Sequence, residues 1–394
     1  MTDTSKSTLM AHQVLDSIRN VTGPGKIPLH EPVFIGNEWE YLKECLDSTF
    51  VSSIGSFVDR LAVDLQDYTG ASYAIPMVNG TAALHMALIS IGVSAGDEVL
   101  MPALTFVATA NAATYCGAVP HFIDAEDRSL GVDATKLEEY LEAISEQRQG
   151  KCINKQTGRV IRALIVMHTF GHPSDLEKCR RLAENYNITL VEDAAESLGS
   201  LYRGRHTGTF GKVSALSFNG NKTITTGGGG AILTNDREVA SKALHLSTTA
   251  KVGHEWEYKH DAVGYNYRMP NLNAALGCAQ MEKLDELVEG QRALYRLYER
   301  EFSSNDKIKL FTEPEGCKSN YWLQSLILTK ENDSLREEIL KVTNGDGVMC
   351  RPVWKLMHQL PPFRDCPRMT LDCAQSLAVR IINIPSSPVL AKTA

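Results

Sequence analysis

The stretch "SFNGNKTITTGGGG" (217–230) places Lys222 among small polar residues, five positions after Ser217 and just ahead of four consecutive glycines. Three kinds of chemistry fit a lysine in such company: a plain surface charge, a phosphate clamp of the nucleotide-binding type, or a reactive amine. Surface placement is the default for any lysine, yet surface lysines do not usually follow a buried strand into a glycine run. The clamp needs GxxxxGK[ST], with glycines ahead of the lysine and a helix behind it. Here the glycine run comes after Lys222, so that reading fails.

Three more strand ends bear on the question. In "VNGTAAL" (78–84) an Asn-Gly turn leads into a helix opening at Thr81. Amide groups at a helix start, backed by its dipole, suit a phosphate, although a plain turn with Thr81 as N-cap fits equally short sequences. In "ITLVEDAAES" (188–197) Asp193 follows an aliphatic run, where a carboxylate is costly unless something pairs with it. Its alternative role is a helix cap. In "PALTFVATAN" (102–111) Phe106 is either core or a face for a flat ring. No one of these compels a function. Together they match a cofactor that needs a phosphate cradle, an anion for a ring nitrogen, an aromatic face and an amine, and pyridoxal phosphate needs all four. Its aldehyde forms a Schiff base with a lysine, and its pyridinium stays protonated beside a carboxylate. Lys222 follows Asp193 by 29 residues, a spacing that suits adjacent strand ends.

The elements that must carry these residues alternate. "YAIPMV", "DEVLM", "VPHFIDAE", "RALIVMH", "ITLVEDAAE", "KVSALSF" and "AILT" read as short buried strands, with helical patterns such as "TAALHMALISIG" and "PSDLEKCRRLAENYN" between several of them. That order implies an α/β protein with a mainly parallel sheet covered on both faces, whose ligands bind at the carboxyl ends of the strands. After about residue 264 the pattern changes. "NAALGCAQMEKLDELVEGQRALYRLYEREF" reads as one long amphipathic helix, "YWLQSLILT" as a strand and "DSLREEILKVTNG" as a helix. The expected layout is a helical arm over 1–28, a large cofactor-binding domain over 29–260, and a smaller α+β domain over 261–394 that completes the substrate site.

Composition narrows the classes. A net charge of −7, from 40 basic and 47 acidic residues, offers no general attraction to nucleic acid or an anionic membrane. The first residues are polar, no run reaches the length of a membrane span, and the nine cysteines show no CxxC pair. These features imply a cytoplasmic protein with reduced cysteines and no metal site. A dinucleotide oxidoreductase would need GxGxxG after the first strand, and a DNA-binding regulator a helix-turn-helix or basic patch; the chain shows neither.

On "NGTAALHMAL", "PALTFVATANA", "VEDAAES", "SFNGNKTITTGGGGAI" and "GYNYRMPNLNAALG" the chain resembles the DegT-type sugar aminotransferases, pyridoxal-phosphate enzymes of fold type I, from about residue 27 onward. The resemblance implies a mostly parallel seven-stranded-type sheet. It implies phosphate contacts from Gly80, Thr81 and Ser217, ring stacking by Phe106, and Asp193 on the pyridine nitrogen. It also implies Glu196 near the phenolic oxygen and Lys222 as the Schiff-base lysine. Asn266 would reach the phosphate held by a neighbouring subunit, so a homodimer with shared sites is implied. Many relatives carry a single Glu in the glycine stretch, where this chain has glycine throughout 227–230.

"LHEPVFIGNEWEYLKECLDSTFVSSIGSFV" and "RPVWKLMHQLPPF" resemble the LegC-like branch, which implies amination of the C4 ketone of UDP-4-keto-6-deoxy-N-acetylglucosamine with L-glutamate as donor and pyridoxamine phosphate as the intermediate cofactor form. Related enzymes act on GDP-4-keto-6-deoxymannose or similar sugars. Substrate positions of the family fall on Trp354 and His358, with Arg351 and Lys355 beside them. Relatives that are sugar dehydratases replace the lysine by histidine. Lys222 therefore favours transamination.

Overall fold

In the computed structural model, residues 3–329 and 331–392 are described. Short aliphatic runs form strands β1 (Tyr73–Met77), β2 (Glu98–Pro102), β3 (Val119–Ile123), β4 (Ile161–Met167), β5 (Thr189–Asp193), β6 (Val213–Ser217) and β7 (Gly230–Thr234). They build one seven-stranded sheet in the order β1-β7-β6-β5-β4-β2-β3. Strand β7 runs antiparallel to both neighbours, and the other strands are parallel to one another. Nearly every strand residue is buried, as expected where helices cover both faces. The fold is therefore the expected α/β architecture.

Helices α1 (Asp3–Thr22), α2 (Glu38–Asp47) and α3 (Ser56–Thr69) precede the sheet. Between and after its strands run α4 (Gly80–Ser90), α5 (Val107–Tyr115), α6 (Ala134–Ile144), α7 (Leu176–Asn185) and α8 (Arg237–Ser247). Helix α4 is apolar on nearly every side because sheet, α5 and α8 surround it.

The single long helix expected after residue 271 is two helices, α9 (Asn271–Met281) and α10 (Leu284–Phe302). Helix α9 is wedged against α2 and α3 and buries most of its surface, and a Cβ on Gly277 would lie 2.9 Å from Thr226. Helix α10 buries only a stripe, against a different body. The chain turns between them at Lys283 (φ −109°, ψ 0°). A helical repeat of apolar residues runs through so short a turn unchanged, which is why periodicity did not register it.

The C-terminal part adds a four-stranded antiparallel sheet of β8 (Ile308–Leu310), β9 (Gln324–Leu328), β10 (Arg351–Pro352) and β11 (Ile381–Ile384), ordered β8-β9-β11-β10, with helices α11 (Asp333–Gly345) and α12 (Asp372–Ala378). The segment read as an arm is α1, whose Ala11, Val14, Ile18 and Val21 share a core with Tyr298, Leu326 and Ile339. The C-terminal part is also tied to the outer edge of β3. There Phe122 N–H donates to the Pro367 carbonyl at 2.9 Å, and the Asp124 carboxylate caps α12 by accepting from Ala374 N–H at 2.8 Å. Among the described residues no helix is long and apolar enough to cross a membrane.

Candidate active site

A cavity of about 330 Å³ opens at the carboxyl ends of β1, β5 and β6. Its cradle begins where β1 stops. Asn79 is extended and its side-chain oxygen accepts from Ala82 N–H at 2.8 Å, so the first turn of α4 starts at Gly80. The helix cap is thus Asn79 rather than Thr81, which instead lines the cavity. Gly80 is required for close approach, since a Cβ there would lie 2.8 Å from the Ser217 Cβ. Gly230 answers part of the glycine run, because its Cβ would lie 2.6 Å from the Leu216 carbonyl oxygen and 2.8 Å from the Gly80 nitrogen. Gly227, at φ +79°, makes the left-handed turn into β7. Three strand ends therefore converge on the first amides of α4, which point with its dipole into the cavity.

Asp193 closes β5 at the cavity floor and is buried. One carboxylate oxygen accepts from the Thr109 hydroxyl at 2.7 Å and the other from Ala195 N–H at 3.3 Å. Burial pushes its carboxyl above the usual range, against the Thr109 and Ala195 hydrogen bonds and the charges of Lys222 and His168. Glu196 is likewise pushed up by burial and drawn back mainly by Lys222. Its two oxygens are engaged by Lys222 Nζ at 3.2 Å and Phe170 N–H at 2.9 Å. Two buried carboxylates with raised protonation constants, and one cation hydrogen-bonded to Glu196 alone of the two, leave the floor short of positive charge. That is the electrostatics of a site built for a cationic ring.

Lys222 reaches into this space from a turn after β6, its side chain 13% exposed. On its other side lies the indole of Trp322, with Nζ 3.7 Å from the ring centroid. Phe106, half-exposed at the N-terminus of α5, faces the cavity and meets Trp354 edge-on at 6.2 Å, and Trp354 also lies 5.1 Å from Phe170.

The cavity wall thus brings together Gly80, Thr81, Phe106, Asp193, Glu196, Ser217, Lys222 and Trp354. Three residues expected beside Trp354 lie elsewhere. Arg351, on β10, turns back to donate to Asn344 Oδ1 at 2.8 Å and to the Cys350 carbonyl, Lys355 is exposed, and His358 is half-buried with its Nδ1 unpartnered. None of the three is on the wall. Segment 351–358 gives the cavity only Trp354, because Val353, Leu356 and Met357 are buried in the core instead.

Asn266 is exposed. Its neighbours Tyr265 and Tyr267 pack on His85 at 5.2 and 5.9 Å, and extended alternation turns Asn266 to the opposite face.

Sequence reasoning missed Trp322, Thr109, Asn79 and Asn221. Thr109 was within reach, since it follows Phe106 by three residues on a helix face. Trp322 carried no signal, for nothing near it in sequence bears chemistry. A wider groove of about 950 Å³ at Asp175, Tyr202, Arg203 and Lys309 holds neither a lysine beside a glycine turn nor a strand-end carboxylate, so volume alone does not mark the site. Among the described residues no cluster of three histidine, cysteine or carboxylate side chains is placed to hold a metal.

Comparison with known proteins agrees with this geometry. Residues 34–394 match the DegT/DnrJ/EryC1/StrS aminotransferase family. The chain is 36% identical to GDP-perosamine synthase of Escherichia coli O157:H7 over 364 residues, covering 92% of this chain and 94% of that protein. It is 33% identical to UDP-4-amino-4,6-dideoxy-N-acetyl-beta-L-altrosamine transaminase of Campylobacter jejuni over 76% of this chain and 77% of the relative. A DegT DnrJ EryC1 StrS aminotransferase from Brucella abortus superposes with a TM-score of 0.80 at 25% identity, over 91% of this chain and 93% of the other. The chain belongs to the DegT/DnrJ/EryC1/StrS aminotransferase family and is a pyridoxal-phosphate-dependent sugar aminotransferase.

Proposed function

We propose that the protein transfers the amino group of L-glutamate to the C4 ketone of a nucleotide-linked 4-keto-6-deoxy sugar, with UDP-4-keto-6-deoxy-N-acetylglucosamine as acceptor. The observation that carries the amino transfer is Lys222 Nζ held at 3.2 Å from Glu196 above a buried Asp193. A reading with GDP-4-keto-6-deoxymannose as acceptor is favoured by the 36% identity to the Escherichia coli GDP-perosamine synthase along 92% of the chain. The UDP reading draws on segments 29–58 and 351–363 and on the Campylobacter jejuni transaminase.

The site fits pyridoxal phosphate on two counts. A Cβ at Gly80 or Gly230 would fill the cradle, and Asp193 is a buried carboxylate with hydroxyl and amide donors but, among the described residues, no cation within hydrogen-bond distance. In its bound form the cofactor supplies an aldehyde that accepts an amino group and a cationic ring that withdraws electrons. Gly80, Thr81 and Ser217 would hold the phosphate, Asp193 would keep the ring nitrogen protonated, and Phe106 would cover a ring face. Lys222 Nζ takes the proton from the α-carbon of the donor and, in the second half of the exchange, delivers a proton to C4 of the sugar. Glu196 holds that amine in place between the two. Trp354 forms the mouth against which the sugar nucleotide lies.

Two copies of the chain complete the site, with Asn266 of each reaching the phosphate in the other. Phe34, Ile35, Trp39, Phe50 and Ile54 are exposed apolar side chains within one short stretch, as expected of a surface that a second copy covers. Turnover of a panel of UDP- and GDP-4-keto sugars with glutamate, with products read by NMR, tests the substrate. Release of 2-oxoglutarate with no aminated sugar would overturn it. Lys222→Ala is expected to lower turnover by about 10³-fold or more, and its loss of covalent cofactor after borohydride reduction checks the role of the lysine.

A further inference from the structure

Resting on the reading that Lys222 is the reacting amine, we propose that Trp322 is a positioning residue: its indole face is the seat that holds the free Lys222 amine against Glu196 between proton transfers. Nζ lies 3.7 Å from the ring centroid on one side and 3.2 Å from Glu196 Oε1 on the other. A cation over the face of an indole is attracted by the ring quadrupole, most strongly where water is excluded, and Trp322 is only 3% exposed.

The indole is itself fixed. Its Nε1–H donates to the carbonyl of Asn221, the residue before Lys222, at 2.6 Å. The backbone that carries it is clamped to the other partner, because Asn320 Nδ2 donates to the carbonyls of Glu196 and Leu198, both at 2.9 Å, while Asn320 Oδ1 accepts from Trp322 N–H at 2.9 Å. Tyr321 between them has φ +51° and is buried. A bulky residue keeps that conformation only where its surroundings enforce it, and here it redirects the chain just before β9 so that the indole turns toward the lysine. One four-residue segment, 319–322, therefore grips the turn that bears Lys222 and the turn that bears Glu196.

Among the described residues, Asp193 and His30, the latter from the N-terminal segment, also interact electrostatically with the amine. Burial, assisted by the Lys222 charge, pushes the His30 imidazole down to about 3, so it adds no competing cation at neutral pH. Glu196 alone would hold the amine by a hydrogen bond on one side. The indole supplies a second restraint that makes no hydrogen bond and so releases the amine without a donor exchange.

The test reads the amine without the cofactor. In apoprotein, Lys222 of Trp322→Leu is expected to react with trinitrobenzenesulfonate at least about fivefold faster than in the unaltered protein, followed by peptide mass spectrometry. In holoprotein the same variant is expected to lose about tenfold in kcat, with KM for the keto sugar and cofactor affinity within about twofold. Trp322→Phe keeps a ring face and is expected to stay within about threefold on every measure. Unchanged labelling and kcat in Trp322→Leu would overturn the proposal, as would a Trp322→Phe protein that falls as far as Trp322→Leu. Should Trp322→Leu not fold, Trp322→Met, bulky but without a ring, is read by the same criteria. Failure of the Lys222 assignment itself would show separately, as borohydride fixing no cofactor on Lys222 in the unaltered protein.

Discussion

The cavity has two walls of different construction. The wall from the seven-stranded sheet is made of strand ends: backbone amides at the start of α4, the Asp193 carboxylate and the Lys222 amine, each within a residue or a short turn of a buried strand. The wall from the C-terminal part is aromatic, with Trp322 and Trp354 and no cation among its lining residues. The first wall is chemically specific and rigid, because each polar group hangs from the hydrogen-bonded sheet. The second gives shape and shields charge. The difference teaches where function is written: chemistry is carried by the sheet, and its orientation by the part folded over it.

The comparison breaks first at Asp193. Asp193→Asn removes the carboxylate proposed to keep the ring nitrogen protonated and is expected to cost about 10²–10³-fold in kcat, by the loss of a buried charge partner. Its apoprotein tests the electrostatics independently. Because the folded Asp193 carboxyl titrates above its unfolded value, its contribution to apoprotein stability is present at low pH and lost as pH rises through the folded value. At pH 8 the apo Asp193→Asn protein should therefore melt at or above the unaltered apoprotein, and a clearly lower melting temperature would remove the argument.

Next comes the cradle. Gly80→Ala sets a methyl 2.8 Å from the Ser217 Cβ, so α4 must shift. Cofactor affinity measured by fluorescence titration is expected to fall about 10–100-fold while secondary structure is retained. On the other wall, Trp354→Leu should leave the cofactor spectrum unchanged and raise KM for the keto sugar roughly tenfold, by the loss of an aromatic contact. Smallest of all is Arg351→Ala. Its guanidinium is spent on Asn344 and Cys350, so KM should stay within about twofold. A large rise would mean that segment 351–358 reorganises on the substrate.

How much of this was legible without coordinates follows the same division. The strands and their order of helices could be read because buried parallel strands are short aliphatic runs, and "VEDAAES" or "SFNGNK" stand out by ending them in polar groups. Thr81 as cap was wrong by two residues, since both Asn and Thr can cap a helix and the backbone angles place the stronger acceptor, Asn79, at the cap position. Arg351, Lys355 and His358 shared a motif with Trp354 but not a direction, for an irregular segment has no period from which facing can be inferred.

The amino-acid order by itself determined the alternating architecture and the identities of the groups at the strand ends, because hydrophobic periodicity and chain punctuation are local properties. Only the folded molecule decided that Trp322, a hundred residues after Lys222, lies on its amine, and that Gly230 must lack a side chain for Gly80 to approach. Such contacts depend on how the second sheet docks on the first. That docking is set by the summed packing of many distant side chains, which no short window of sequence contains.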